Sequence, residues 1–215
     1  PAAALRLFKG FYFGVVFNAF ILGWVFLALA KVVGGVTDLD PTLVLWVGTV
    51  VVFGYTVASG FYGVVLTDFF QYFVALGGSI TLAVYAVGEV GGLDALVAGL
   101  KARPDVKEGV LDFLPRVGEG ASMPLSLFLT YALVQWWAHK YADGGGKHIQ
   151  RMLSAKDERH AVAASFFFAF ANYALQVWPW ILTALAALVL FGPLPDPELA
   201  YSMTMARVLP AGVLG

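Results

Sequence analysis

The chain contains no cysteine. That excludes disulfides, thiolate metal sites and cysteine nucleophiles, and leaves the redox compartment open. Charge is scarce as well: 13% of residues are charged, about half the share in an average soluble domain (roughly 25%). The formal net charge is −1, so no global field points to nucleic acid. Enzyme signatures are also missing. There is no nucleophile elbow, no His-Glu-x-x-His and no dinucleotide fingerprint, and Gly144-Gly-Gly146 lacks the strand and the Gly-Lys-Ser/Thr of a phosphate loop. His139, His148 and His160 are not at metal-ligand spacing and read as solvated loop histidines. Nothing argues for an enzyme. Intramembrane catalysis would need a second acid, a serine–lysine pair or histidines at membrane depth.

What is abundant is apolar sequence. Hydrophobic residues make up 60% of the 215, and mean hydropathy is +0.81. A transmembrane helix needs about 20 such residues. Phe11–Val33, 23 residues, reads as span A, and its length excludes a signal peptide. Leu43–Gly88 has 46 residues, far more than one crossing requires, so it is expected to fold back. The natural break is Ala58-Ser-Gly-Phe-Tyr-Gly63, where two glycines permit a turn. Span B is then 43–59 and span C is 64–88. Span D is 121–138. Span E, 161–191, contains Pro179, expected to kink it. The fold class is therefore all-α, a polytopic membrane protein with about five transmembrane helices. Both chain ends read as cuts through a longer protein.

Sidedness follows the basic residues. The loop 139–160 holds Lys140, Lys147, Arg151, Lys156 and Arg159, and the N-terminal flank holds Arg6 and Lys9. Five spans put both on one side, taken as cytoplasmic, with the loop 89–120 outside. In that outer loop Leu93, Leu96, Val97 and Leu100 recur at helical spacing, which predicts an amphipathic helix on the outer surface.

Asp68 is the only charged residue between Asp40 and Glu89. A carboxylate in an apolar stretch is costly without a partner, so such acids generally face a protein interior or water and serve function. Asp68, Gln71, Ala75 and Ser79 fall on one helix face. Ser165, Asn172, Gln176 and Thr183 line a face of span E. For these hydroxyls and amides interhelical hydrogen bonding is the simpler reading; Asp68 points to function. Gly10, Gly14 and Asn18 suit close helix packing. Gln135-Trp136-Trp137 reads either as an interfacial aromatic belt or as a ligand-facing group.

Several segments together resemble the sodium/solute symporter family of sodium–galactose, proline and pantothenate permeases. They are Arg6 with Asn18-Ala-Phe-Ile-Leu-Gly-Trp24 and Lys31; Ala58-Ser-Gly-Phe-Tyr-Gly-Val-Val-Leu-Thr-Asp68-Phe-Phe-Gln71; Gln150-Arg-Met-Leu-Ser-Ala-Lys-Asp157; and Leu209-Pro-Ala-Gly-Val-Leu-Gly215. The second is similar to the family's Thr-Asp-x-x-Gln stretch and the third to its cytoplasmic Gln-Arg-x-x-Ala-x-Lys. The resemblance covers nearly the whole chain. It implies the five-plus-five inverted-repeat fold, with spans A to E as the third to seventh core helices. The remaining core helices, which carry the principal sodium site, would lie outside this chain. It further implies sodium as coupling ion, Asp68 as a ligand of a second sodium, and Gln135, Trp136 and Trp137 as solute contacts on a broken helix. Galactose carriers have an Asn followed by tyrosines at that place, so this chain departs from them there. The expected activity is inward symport of a small polar solute through a multi-pass protein in a lipid membrane of the bacterial inner or plasma type. A proton could replace sodium as the coupling ion. The alternative is a transporter-like sensor or scaffold module of a larger signalling protein.

Overall fold

A computed structural model describes residues 2–37, 39–106, 109–112, 124–135 and 145–214. No strand occurs among the described residues. Helix α1 runs Ala2–Val36, with a π-helical stretch at Tyr12–Phe17. It contains the whole of expected span A. Thr37 ends it in extended conformation, donating through its backbone N–H and its hydroxyl to the Val33 carbonyl. Asp40 then caps the next helix: its carboxylate accepts from the Thr42 N–H at 2.8 Å, with Pro41 in the first turn where a missing donor costs nothing.

Helix α2, Pro41–Val90, is 50 residues long and leaves helical geometry at one point, Gly60, with φ 61° and ψ −159°. This is the break expected between 58 and 63, narrowed to one residue. Only glycine occupies that backbone region readily. The second glycine has another reason: a Cβ on Gly63 would fall 2.1 Å from the Ser59 side chain. At the far end Gly91 is left-handed, and the N–H groups of Gly91 and Gly92 close the last turn onto Gly88 and Val87.

Helix α3, Leu93–Ala102, is the amphipathic helix expected in the outer loop, but its position differs from the expectation. Leu96 and Leu100 are buried against Ala86 and Ala186, so this face packs on the ends of neighbouring helices and not on a membrane surface. Leu93 and Val97 are exposed. Arg103 fixes the arrangement, donating to the Leu188 carbonyl at 2.7 Å and pairing with Asp105 at 2.9 Å. That guanidinium satisfies a C-terminal carbonyl of the long helix α6.

Helix α4, Leu125–Val134, is apolar and ends in a π-helical segment, Thr130–Gln135. Helix α5 is Gly145–Leu153. Helix α6, Glu158–Phe191, is capped by Asp157, which accepts from the His160 N–H at 2.9 Å. Its distortion precedes the proline. Residues Ala171–Leu175 are π-helical, the Gln176 N–H reaching Ala171 at 3.1 Å, one turn before Pro179. Proline lacks an N–H and crowds the carbonyl four residues earlier, so the widened turn falls where the strain arises. Helices α7, Ala200–Val208, and α8, Ala211–Leu214, follow. Sequence periodicity gave no notice of α7. It packs on α1, α2 and α6, with Ser202 and Thr204 buried.

Small residues make the central contact. Ser79, Ala83 and Ala86 on α2 are buried, as are Thr183, Ala186 and Ala187 on α6, the two segments that meet most extensively. Short side chains let helix backbones approach without lipid-driven burial. Among the described residues, α1, α2 and α6 are long and apolar enough to cross a membrane. Their outward faces carry Phe20, Trp24, Phe70, Val74 and Phe166, all strongly exposed, as a helix in hydrocarbon requires.

Candidate functional site

Asp68 lies on α2 two turns beyond Gly60, where the break starts a new helical segment. Its carboxylate accepts a hydrogen bond from the Arg151 guanidinium on α5. Both side chains are partly open, 47% and 39% exposed. The partner required by a carboxylate in an apolar helix is therefore a cation from the basic loop 139–160. This contact places Asp68 at the end of its span facing that loop.

Helix α5 has further attachments. The Ser165 hydroxyl lies 3.1 Å from the Met152 sulfur, and the His148 ring meets the Phe168 ring edge-on at 4.1 Å. His148 is therefore packed, contrary to the expectation of a solvated loop histidine. His160 is exposed and pairs with Asp157, whose carboxyl is held below the usual range first by the His160 backbone N–H and then by its ring. Residues 145 and 146 of the glycine run begin α5.

The polar face of α2 grades inward. Asp68 and Gln71 are exposed, whereas Ser79 is buried and donates to its own helix at Leu76. Ala75 and Ser79 line a cavity of about 530 Å³ with Trp180, Tyr201 and Met205. Burial raises the Tyr201 phenol above its ordinary value. Among the stripe hydroxyls of the described residues, Ser165 reaches another helix, at the Met152 sulfur, while the bonds to carbonyls stay within each helix. Thr183 donates to Pro179 and Ser165 to Ala161, each within one turn. A further crossing bond comes from a residue off the stripe: the Tyr72 hydroxyl donates to the Ala171 carbonyl at 3.2 Å, at the π-turn of α6.

Gln135 closes the π-helical segment of α4. Its side chain, and Trp136, Trp137 and His139 entirely, lie outside the described residues. Among the described residues no three of His, Cys, Asp and Glu gather into a metal cluster. A cation at Asp68 would therefore need hydroxyl or carbonyl oxygens to complete its shell, the donor type a hard alkali ion accepts.

A second charged cluster sits at the other end. Lys31 donates to Asp196 at 2.8 Å and to Glu198 at 2.5 Å, tying α1 to the segment between α6 and α7. The Lys31 bond, and then the Glu198 backbone N–H, hold the Asp196 carboxyl below the usual range. Lys31 is a charge inside span A, near its outer end, which a count of apolar residues passes over. Arg151 is the other residue that sequence reasoning placed but did not connect. Its signal was available: a lone acid in an apolar stretch needs a base, and the basic loop is the nearest source.

Two ion pairs, Asp68 with Arg151 and Lys31 with Asp196 and Glu198, tie elements of an apolar helical bundle together, and comparison with protein families gives that bundle its class. The profile of the sodium:solute symporter family matches residues 13–210. The chain belongs to the sodium:solute symporter family. Comparison with curated proteins gives no match, and neither does comparison with solved structures. Membership carries sodium-coupled solute transport across a membrane as the general activity, and places this multi-pass helical chain in lipid.

Proposed function

We propose that this chain supplies five membrane crossings of a symporter that carries a small polar solute inward with sodium, by alternating access, in a membrane of the bacterial inner or plasma type. Asp68 provides a carboxylate to a second sodium site. Gln135, Trp136 and Trp137 contribute to the solute-binding shell. The observation that carries the reading is Asp68 itself: a lone acid in a 46-residue stretch that is otherwise uncharged, on a helix face that leads to an open cavity.

Sodium favours oxygen ligands, and a carboxylate at the end of an apolar span supplies charge and oxygen together. Gln71 follows one turn further on the same face, exposed like Asp68. A second face, α6 with its π-turn and Pro179, offers a backbone already released from regular hydrogen bonding, the feature by which transporter helices expose carbonyls at depth. Gly60 and the π-turns of α1, α4 and α6 are places where a helix can change direction without breaking a regular ladder. Sodium bound on the outer side raises solute affinity, and by linkage solute raises sodium affinity by the same factor, about 5- to 150-fold in typical systems.

Uptake into proteoliposomes holding the full protein tests this. A panel of small polar solutes is offered under an inward sodium gradient, then under an inward proton gradient. The proposal expects one solute to accumulate with sodium and the Asp68→Asn variant to need more sodium. Accumulation driven by protons alone, with sodium inert, would overturn the assignment of the coupling ion.

A further inference from the structure

The ion pair between Asp68 and Arg151 occupies the same carboxylate that sodium is proposed to use. We propose that Arg151 is a tethered cation that takes Asp68 when sodium leaves it, so that sodium binding and docking of helix α5 exclude one another. This rests on the reading of Asp68 as a sodium ligand and adds what regulates that site.

Three observations carry it. First, a carboxylate can be neutralised by one cation; sodium and a guanidinium together on Asp68 would leave an uncompensated positive charge beside an apolar span. Second, the pair is poised to separate. Asp68 and Arg151 keep 47% and 39% of their side-chain surface uncovered by this chain, and a pair so little enclosed is held more weakly than a deeply buried one. Third, Arg151 rides on an element that can move. Helix α5 ends at Leu153, and α6 begins at Glu158 behind its Asp157 cap, so a short connection separates the two. Besides Arg151, α5 is attached through Met152 by a hydroxyl–sulfur contact and through His148 by a ring contact, neither of them an ion pair.

The exchange keeps Asp68 neutralised through a transport cycle. Sodium arriving displaces Arg151 and loosens α5 from α2. Sodium departing toward the basic loop is replaced by Arg151, which spares the span a bare carboxylate and opposes rebinding from that side. Arg151 thus acts on sodium through Asp68, as a positioning residue and not a ligand.

The test is a distance measurement between spin labels, in the full protein reconstituted in membranes. These 215 residues hold no cysteine, so once any cysteine elsewhere in the full protein is replaced, Leu153→Cys on α5 and Val74→Cys on α2, which are 82% and 75% exposed, give attachment sites. Sodium chloride is titrated against choline chloride without solute. The proposal expects the native distance to lengthen or broaden with sodium. It expects Arg151→Gln to show the released distribution without sodium and a half-saturating sodium concentration about two- to fivefold lower, the range an exposed ion pair can supply. Arg151→Lys, which keeps the charge, is expected to retain the sodium response. A native distance that ignores sodium overturns the exclusion without reference to any variant. If Asp68→Asn keeps the native sodium half-saturation, Asp68 is not a ligand and the parent reading fails. If Asp68→Asn loses sodium binding while Arg151→Gln behaves as native, the parent reading stands and the exclusion alone is wrong.

Discussion

Replacing Gly35 by alanine should loosen the joint between α1 and α7 at a cost of about 1–3 kcal/mol, the usual range for forcing an extra methyl into a packed contact. A Cβ on Gly35 would lie 2.3 Å from the Ser202 hydroxyl oxygen and 2.7 Å from the Ser202 Cβ. The hydroxyl could rotate away, giving up its 3.1 Å bond to the Leu199 carbonyl. The Cβ cannot, and Ser202 is 1% exposed. Carbon atoms rest no closer than 3.4 Å in ordinary contact, so the two backbones must part by about 0.7 Å. The Lys31 bonds to Asp196 and Glu198, one turn away on the same face of α1, would be stretched with them. Thermal unfolding in detergent measures the effect. Gly34→Ala is the control: a Cβ there meets nothing within 4 Å, and alanine is favoured over glycine in a helix by about 1 kcal/mol. Combining Gly35→Ala with Ser202→Gly moves the methyl-sized group across the contact and should recover most of the loss. A Gly35→Ala protein as stable as Gly34→Ala, or a double variant no better than the single, would refute the close-approach argument.

Other consequences follow from the same structure. Leu100→Ala should cost about 2–5 kcal/mol, because Leu100 is 2% exposed in a packed cluster with Ala86, Leu96 and Ala186, and its truncation leaves a cavity there; denaturation midpoints test it. Gly60→Ala should cost about 1–3 kcal/mol, since alanine cannot hold φ 61° with ψ −159° without strain; a variant as stable as native would mean that the break relaxes into helix. Tyr72→Phe should cost about 0.5–1.5 kcal/mol by removing the bond to the Ala171 carbonyl, and a cysteine-accessibility scan across Ala171–Leu175 should detect a looser π-turn. The Asp196 carboxyl is depressed in the folded protein by Lys31, so its contribution is complete above the ordinary carboxylate range and is lost as pH falls through the folded value. Stability measured from neutral to acid pH should therefore drop less in Asp196→Asn than in the native chain.

The helices were legible because their signals are strong and local. Long apolar runs gave α1, α2 and α6, two glycines gave the break near Gly60, and a proline marked the distortion of α6. The details departed where the deciding interaction was tertiary. Pro179 disturbs the turn before it, at Ala171–Leu175, and the leucines of α3 pack on helix ends because Ala86 and Ala186 leave room for them. Helix α7 went unseen because it is short and mixed in polarity; its docking depends on Gly35 fitting Ser202, a match between residues far apart in sequence. At the site, the lone charge of Asp68 was visible from composition. Its partner could be narrowed to the basic loop but not to Arg151, since nothing local ties residue 68 to residue 151. The hydroxyl stripes promised bonds between helices, yet serine and threonine reach their own preceding turn first.

Sodium binding to the full protein, with and without Asp68→Asn, tests the central claim most directly. Radioactive sodium is titrated onto the purified protein in lipid, with potassium as competitor. The account predicts saturable binding in the native protein and a loss of one site, or at least a tenfold weaker sodium half-saturation (about 1.4 kcal/mol), in Asp68→Asn. Identical sodium binding in both proteins would contradict it, and would leave Asp68 as the partner of Arg151 and nothing more.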